Sequence, residues 1–364
     1  MGPGRTSNTS CFALLAVLLL PSIAEGADPP WRIVSSDGKS SIQFGFLAQP
    51  QAEWLTTADG TDTSQNLFLR RLRLIVGGKV NEKISFFIET DSPNLGKGTA
   101  TSRKVEESVY LQDVILTYTF RDEIQLDGGM LLVPMSHNST QGATTLLAID
   151  YGAYSFLASD PTTSRCGRDY GVQARGYVLG KHLEYRLGVF QGFRDVTATT
   201  PFRYSGRAVW YPFEAETGFF YSGTNLGSKR ILAVGTGFDH QADYTAAAFD
   251  VYWDWKIRGD DGLTAQLDYL HYDGGRTFQQ LPDQGTWLAE AGYYHSGLKI
   301  GPFAQVTRRA YGDPLQSDET RYQIGVAYWL GGHRLNLKVG AGQWLKDGGP
   351  GRTQVVLQGQ VYMY

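Results

Sequence analysis

Along most of the chain, apolar and polar residues alternate one by one in segments of about ten residues, the period that sends successive side chains to opposite faces of a strand. In 243–255, Ala247, Phe249, Val251, Trp253 and Trp255 share one parity, and Asp250, Tyr252 and Asp254 the other. In 263–272, Leu263, Ala265, Leu267 and Tyr269 oppose Thr264, Gln266 and Asp268. In 321–330, Tyr322, Ile324, Val326, Tyr328 and Leu330 oppose Arg321 and Gln323. Extending the pattern predicts strands near 41–54, 66–79, 83–91, 108–119, 124–132, 169–179, 182–193, 203–213, 230–238, 243–255, 262–272, 285–294, 297–308, 320–330, 332–342 and 353–363. That makes sixteen, an even number, as single-chain bacterial barrels have. The expected fold is all-β, a transmembrane antiparallel β-barrel spanning 41–364.

The connections support this reading. Tight ones fall at Gly180-Lys181, His295-Ser296-Gly297 and Gly331-Gly332, and long polar ones at 55–65, 92–107, 133–168, 273–284, 309–319 and 343–352. Short turns at one rim and long loops at the other are the pattern of periplasmic turns and extracellular loops. Segment 214–229 is an exception, because its place in the order calls for a turn and it is long. Loop 133–168 carries Ala143, Leu146, Leu147, Ile149 and Tyr151, apolar enough to fold inward.

The ends of the chain fit export to an outer membrane. Arg5 precedes an apolar run from Cys11 to Ile23, followed by Ala24-Glu25-Gly26. This predicts a cleaved signal peptide over 1–26, too short for a spanning helix. Residues 27–40 would then form a periplasmic N-terminal segment. The chain closes on Val361-Tyr362-Met363-Tyr364, an aromatic ending like a terminal barrel strand. No later stretch is apolar enough for a membrane helix.

Composition narrows the class. The 364 residues include 44 Gly, 21 Tyr, 18 Phe and 8 Trp. Mean hydropathy is nevertheless −0.27. Aromatic and glycine-rich yet hydrophilic is what a barrel with a polar interior requires. Net charge is −3, which gives no reason to expect a nucleic-acid partner. Once the signal leaves with Cys11, Cys166 stands alone and no internal disulfide is expected.

Segment 68–91, FLRRLRLIVGGKVNEKISFFIETD, resembles the N-terminal hairpin of the phosphate-selective porin O and P family. There an Arg-Arg-x-Arg strand runs through glycines and a turn into an aromatic strand with acidic residues. Here these are Arg70, Arg71, Arg73, Gly77, Gly78, Phe86, Phe87, Glu89 and Asp91. GGMLLVPMSH at 128–137 and RCGRDYGVQARGYV at 165–178 resemble the strands that flank the family's long third loop. The resemblance implies a sixteen-stranded barrel, a homotrimer, and a third loop folded into the lumen. In one place the chain departs from the family. Met135-Ser136 follows Pro134 where a Phe-Gly is usual, and Ala148-Ile149-Asp150-Tyr151 lacks the arginine of an acidic-Arg pair.

Charge at a narrow point sets ion selectivity, because a low-dielectric wall focuses the field there. Lumen-facing parity collects Arg71, Arg73, Arg175 and Lys299, and the third loop adds Arg165 and Arg168. These six are the candidate anion-binding or constriction residues, since guanidiniums grip phosphate oxygens bidentately and keep their charge. The alternative is that they pair with Glu89, Asp91 or Asp113 and only brace the wall. Arg70 shares parity with Leu72 and Leu74 and is expected outside unless a bulge shifts the register.

No enzyme, cofactor or metal site is expected. Ser136-His137-Asn138 are sequence neighbours and cannot form a triad with one another. The expected function is an outer-membrane porin of a Gram-negative bacterium, passing small anions, with phosphate or polyphosphate as candidates. The alternative is a structural or adhesive barrel whose lumen is plugged by the third loop. Expected partners are outer-membrane lipid and lipopolysaccharide, sister subunits of a homotrimer, and small anions such as phosphate.

Overall fold

The computed structural model describes residues 31–99, 102–105 and 108–364. The expected signal peptide, 1–26, lies outside the described residues. Sixteen antiparallel strands close into a barrel. They are β1 (Ser41–Thr56), β2 (Thr63–Lys79), β3 (Ile84–Asp91), β4 (Tyr110–Arg121), β5 (Ile124–Leu132), β6 (Arg168–Val178), β7 (Leu183–Phe190) and β8 (Arg203–Trp210). Then come β9 (Arg230–Gln241), β10 (Tyr244–Lys256), β11 (Gly262–Asp273), β12 (Gln284–Tyr294), β13 (Ile300–Tyr311), β14 (Glu319–Tyr328), β15 (Leu335–Lys346) and β16 (Arg352–Met363). Each pairs with its neighbours in sequence, and β16 returns to β1, with Val355 opposite Trp54 and Val361 opposite Ala48. Two short strands stand outside this ring. Arg32–Val34 pairs with the start of β1, and Leu330–His333 lies in the connection before β15.

The alternation seen in the sequence becomes two surfaces. Phe249, Leu267, Ile324 and Leu357 face outward and are well exposed, while Asp250, Tyr252, Asp254 and Asp268 on the other parity are buried inside. Aromatic side chains gather near both ends of the outer surface, as in Trp253–Trp255 at one rim and Tyr269–Trp287 toward the other. Their amphipathic rings suit the boundary between lipid and water. In the last strand Val355, Leu357 and Val361 face out. Tyr362 therefore turns inward by parity, and Tyr364 packs edge-on against Phe87.

The rims are less regular than expected. Strands run further than the pattern suggested, so β1 and β2 are joined by only 57–62. The 242–243 connection is a tight turn although it lies at the long-loop rim. Gln241 and Tyr244 flank it as a paired couple, and Ala242 takes a positive φ of 55°. The two longest connections, 133–167 and 211–229, send their middle parts into the barrel.

A charged side chain on the lipid face should weaken the barrel most at mid-membrane. Leu267 lies midway along β11 and is 43% exposed. Leu267→Arg is expected to cost about 2–4 kcal/mol, against about 0–1 kcal/mol for Ile257→Arg at the rim. Unfolding midpoints in guanidinium, taken from lipid vesicles, check this. Equal losses would contradict a membrane-embedded β11.

Candidate functional site

The inner wall is a ladder of ion pairs. Arg73 on β2 bonds Glu89 at 2.6 Å and Asp91 at 3.0 Å, both on β3. Arg168 on β6 grips both oxygens of Asp113 on β4, at 3.2 and 3.0 Å. Arg175 bonds Asp127 at 2.8 Å, and Arg186 bonds Glu184 at 2.6 Å. Arg203 reaches Asp239 and, at 3.2 Å, Asp169. Arg207 takes both oxygens of Asp250. All of these side chains are buried. The reason lies in the strand pattern: the inward parity carries both long cations and acids, and buried charges must be paired because bulk solvent does not reach them.

Two connections fill the space within this wall. The first, 133–167, begins as Val133-Pro134-Met135 and then forms a single helical turn, His137–Thr140, capped by Ser136 and Ser139. A side chain at Gly237 would collide here, because its Cβ would lie 2.2 Å from the Met135 carbonyl oxygen. The second connection, 211–229, enters from the opposite rim. Tyr221 forms a parallel bridge with Gln141, its N–H donating to the Thr140 carbonyl and its own carbonyl accepting from Gly142. His137 is wholly buried, stacked between Tyr221 and Tyr252, with its Nε2 2.7 Å from Glu216.

From that knot the first connection crosses the lumen. The Asn138 N–H donates to Asp268, and the Gln141 amide donates to Gln266, both on β11. On the far side Lys338 of β15 donates to the carbonyls of Leu146 and Ala148 at 2.5 and 2.8 Å. Gln360 of β16 donates to the Thr144 carbonyl, and Gln305 of β13 to the Asp150 carbonyl. Asp150 ends the crossing. Arg70 Nε and Arg71 Nη2 each lie 2.6 Å from its carboxylate. Burial alone would raise this carboxyl, yet the two guanidiniums hold it below the usual carboxylate range, so it stays charged near neutrality. Packing is tight: two interior cavities against the wall measure only about 20 and 10 Å³. That is room for about one water each.

Above Asp150 a vestibule of about 350 Å³ opens toward the long-loop rim. Gln51, Glu53, Arg70, Lys97 and Arg321 line it. Lys97 bonds Glu53 at 2.7 Å. Arg321 is held by rings instead, 4.1 Å from the centre of Trp344 and 5.5 Å from that of Tyr154. It has no carboxylate partner among the described residues.

The family model for phosphate-selective porin O and P matches residues 52–304, more than half of the chain. The chain belongs to this family. No curated protein matches the sequence. Among solved structures, the anion-selective porin from Comamonas acidovorans superposes with a TM-score of 0.58 at 10% identity, over 89% of this chain and 100% of that one. Salmonella typhi OmpF, solved with daunomycin, gives 0.59 at 12% identity, over 90% and 99%. The outer-membrane channel DcaP of Acinetobacter baumannii gives 0.57 at 12%, over 91% and 99%. At such identities the likeness concerns the fold. Family and fold together place this porin in a Gram-negative outer membrane.

The candidate arginines do not form one cluster. Arg73, Arg168 and Arg175 are each neutralised on the wall, and Arg71 is bound to Asp150 and Gln49. Arg165 lies apart, 3.6 Å from the centre of the Tyr110 ring and exposed. Lys299, expected on the wall, sits instead in the turn 295–299 with a φ of 53°, exposed, its Nζ near the Leu330 carbonyl. The strand starts only at Ile300, so the parity that placed Lys299 inside does not apply to it.

Arg70, expected outside, faces Asp150. The cause is Pro50. It has no N–H to give the ladder, and the β1–β2 register shifts between Gln49 and Pro50. Arg70 is then the extra residue, and both it and Arg71 reach the same carboxylate. A proline inside an alternating strand was the signal for this. Glu216 and Tyr221 were also missed; the unexpected length of their connection was the only hint.

Arg207 tests whether these pairs brace the barrel. It also bonds the Met135 carbonyl and the Tyr221 hydroxyl. Arg207→Met should cost about 3–5 kcal/mol, because Asp250 is left buried and uncompensated. Adding Asp250→Leu should restore most of that loss. Both are read as unfolding midpoints, and a double variant no better than the single would refute the pairing argument.

Proposed function

We propose that this porin is a passive diffusion channel for small anions, with phosphate and polyphosphate as candidate solutes, and that it is not an enzyme. The observation that carries the reading is the charge of the vestibule. Glu53 is spent on Lys97, and Asp150 is shared by Arg70 and Arg71, so cations remain in excess. Arg321 presents a guanidinium that no carboxylate neutralises among the described residues. In a narrow low-dielectric mouth such an excess draws anions, and a guanidinium can grip two phosphate oxygens at once. The wall arginines Arg73, Arg168 and Arg175 then act as braces, and Arg70, Arg71 and Arg321 meet the solute. His137 favours no catalytic role, because its ring nitrogens are taken by Glu216 and Gln141.

We extend the proposal to the chain's assembly. Residues 1–26 direct export and are removed, 27–40 form a periplasmic segment, and the mature barrel is a homotrimer. A trimer form is described for the similarly folded OmpT of Vibrio cholerae, at a TM-score of 0.54 and 12% identity.

Zero-current potential across a planar bilayer under a salt gradient tests selectivity. Anion selectivity is expected, with added phosphate reducing chloride current. Arg321→Ala should move the potential toward zero. A cation-selective potential would sink the anion assignment.

A second reading, the loop-plugged barrel, rests on the bonds that hold 133–167 to opposite walls. Lys338→Met would release two of its carbonyls. Conductance in that variant alone, with a silent wild type, would favour the plug. Single-channel steps in the wild type would dismiss it.

A further inference from the structure

A second, larger cavity lies at the extracellular rim, where the ends of β4, β6 and β7 meet the tail of the 133–167 connection. It measures about 540 Å³. One side is apolar and continuous with the lipid-facing surface, for Leu111 and Tyr170 line it and are 51% and 58% exposed. The other side carries two guanidiniums. Arg165 lies against Tyr110, and Arg194 lies 5.3 Å from the centre of the Phe202 ring. Neither has a carboxylate partner among the described residues. Arg194 gives one Nη to the Pro201 carbonyl, and its Nε has no partner among the described residues.

Gln112 also lines this cavity. It is only 1% exposed, and both polar atoms of its amide lack a hydrogen-bond partner among the described residues. It is the residue left unmatched on β4 where the β3–β4 register shifts between Glu89 and Thr90. A buried amide without partners is costly, and its persistence points to a ligand that supplies them. The nearby carboxylate, Asp169, is already engaged. It bonds Arg203 and accepts from the N–H groups of Tyr170 and Gly192.

We infer that this cavity holds the phosphorylated headgroup of an outer-leaflet lipid. Arg165 and Arg194 take the phosphate oxygens, in the charge-assisted bonds guanidinium favours. The Gln112 amide pairs with neighbouring hydroxyl or ester groups. Acyl chains run down the outer wall over Leu111 and Tyr170. A lipid fits better than a soluble anion because the cavity opens on the membrane-facing side and joins charge to apolar surface.

The probe is lipid A, a phosphorylated glycolipid, in phosphatidylcholine vesicles that hold the full chain. Native mass spectrometry after extraction counts the lipid retained on each protomer. Wild type should keep lipid A, and the Arg165→Ala/Arg194→Ala double variant should bind it at least about tenfold more weakly, as loss of charged hydrogen bonds implies. Gln112→Leu should also weaken retention while leaving the unfolding midpoint unchanged or higher, since it removes an unpartnered amide. Dephosphorylated lipid A should not be retained. Equal retention by wild type and the double variant would overturn the site. Displacement of lipid A by inorganic phosphate alone would overturn the lipid assignment in favour of a free anion. Heat-modifiable migration confirms that each variant is a closed barrel.

Discussion

Hydrocarbon offers no hydrogen bonds, so every strand that crosses a bilayer must find its partners in other strands. An open sheet of this size would leave two edges unpaired in lipid. The return of β16 onto β1 removes both. Everything else follows from that closure: one face must be apolar, the other is sealed from lipid, and long side chains of the inner face are confined together. Where the ladder cannot be completed, the structure answers with a bulge. Pro50 is the clearest case, and the bulge opposite it sends Arg70 to Asp150.

Confinement then sets the electrostatics of the lumen. A barrel filled with water could leave its wall charges solvated. Here two connections enter from opposite rims and pack against the wall. Each buried wall arginine meets an acid, which is why pairs such as Arg207–Asp250 and Arg168–Asp113 recur around the interior, and carbonyls of the inserted connections, such as that of Met135, take some of the remaining N–H groups. Paired charges cancel at a distance. The vestibule around Arg70 and Arg321 lies where the filling stops, and the proposed anion selectivity is assigned there for that reason.

The two connections depend on each other. The parallel bridge between Gln141 and Tyr221, and the stacking of His137 between Tyr221 and Tyr252, join connections that leave from opposite rims. Bonds to β11, β13, β15 and β16 then spread the load around the wall.

The sequence by itself determined the strands. Alternation such as Phe249, Val251, Trp253 against Asp250, Tyr252, Asp254 depends only on the two-residue period of an extended chain, which local sequence carries. The family and the membrane were legible for the same reason, through the Arg70–Asp91 hairpin and the outward aromatic residues. Which charge meets which was not legible. Arg71 and Asp150 are far apart in the chain, and parity cannot say that they touch. Lys299 shows the limit in reverse, since a three-residue shift of the strand start, from 297 to Ile300, moved it from wall to turn. Only the tertiary structure decided that Arg70 turns inward, that 211–229 folds against the 133–167 connection and that Gln112 lines a cavity at the rim. Those outcomes depend on bulges, on loop packing and on contacts between distant strands, none of which a local pattern encodes.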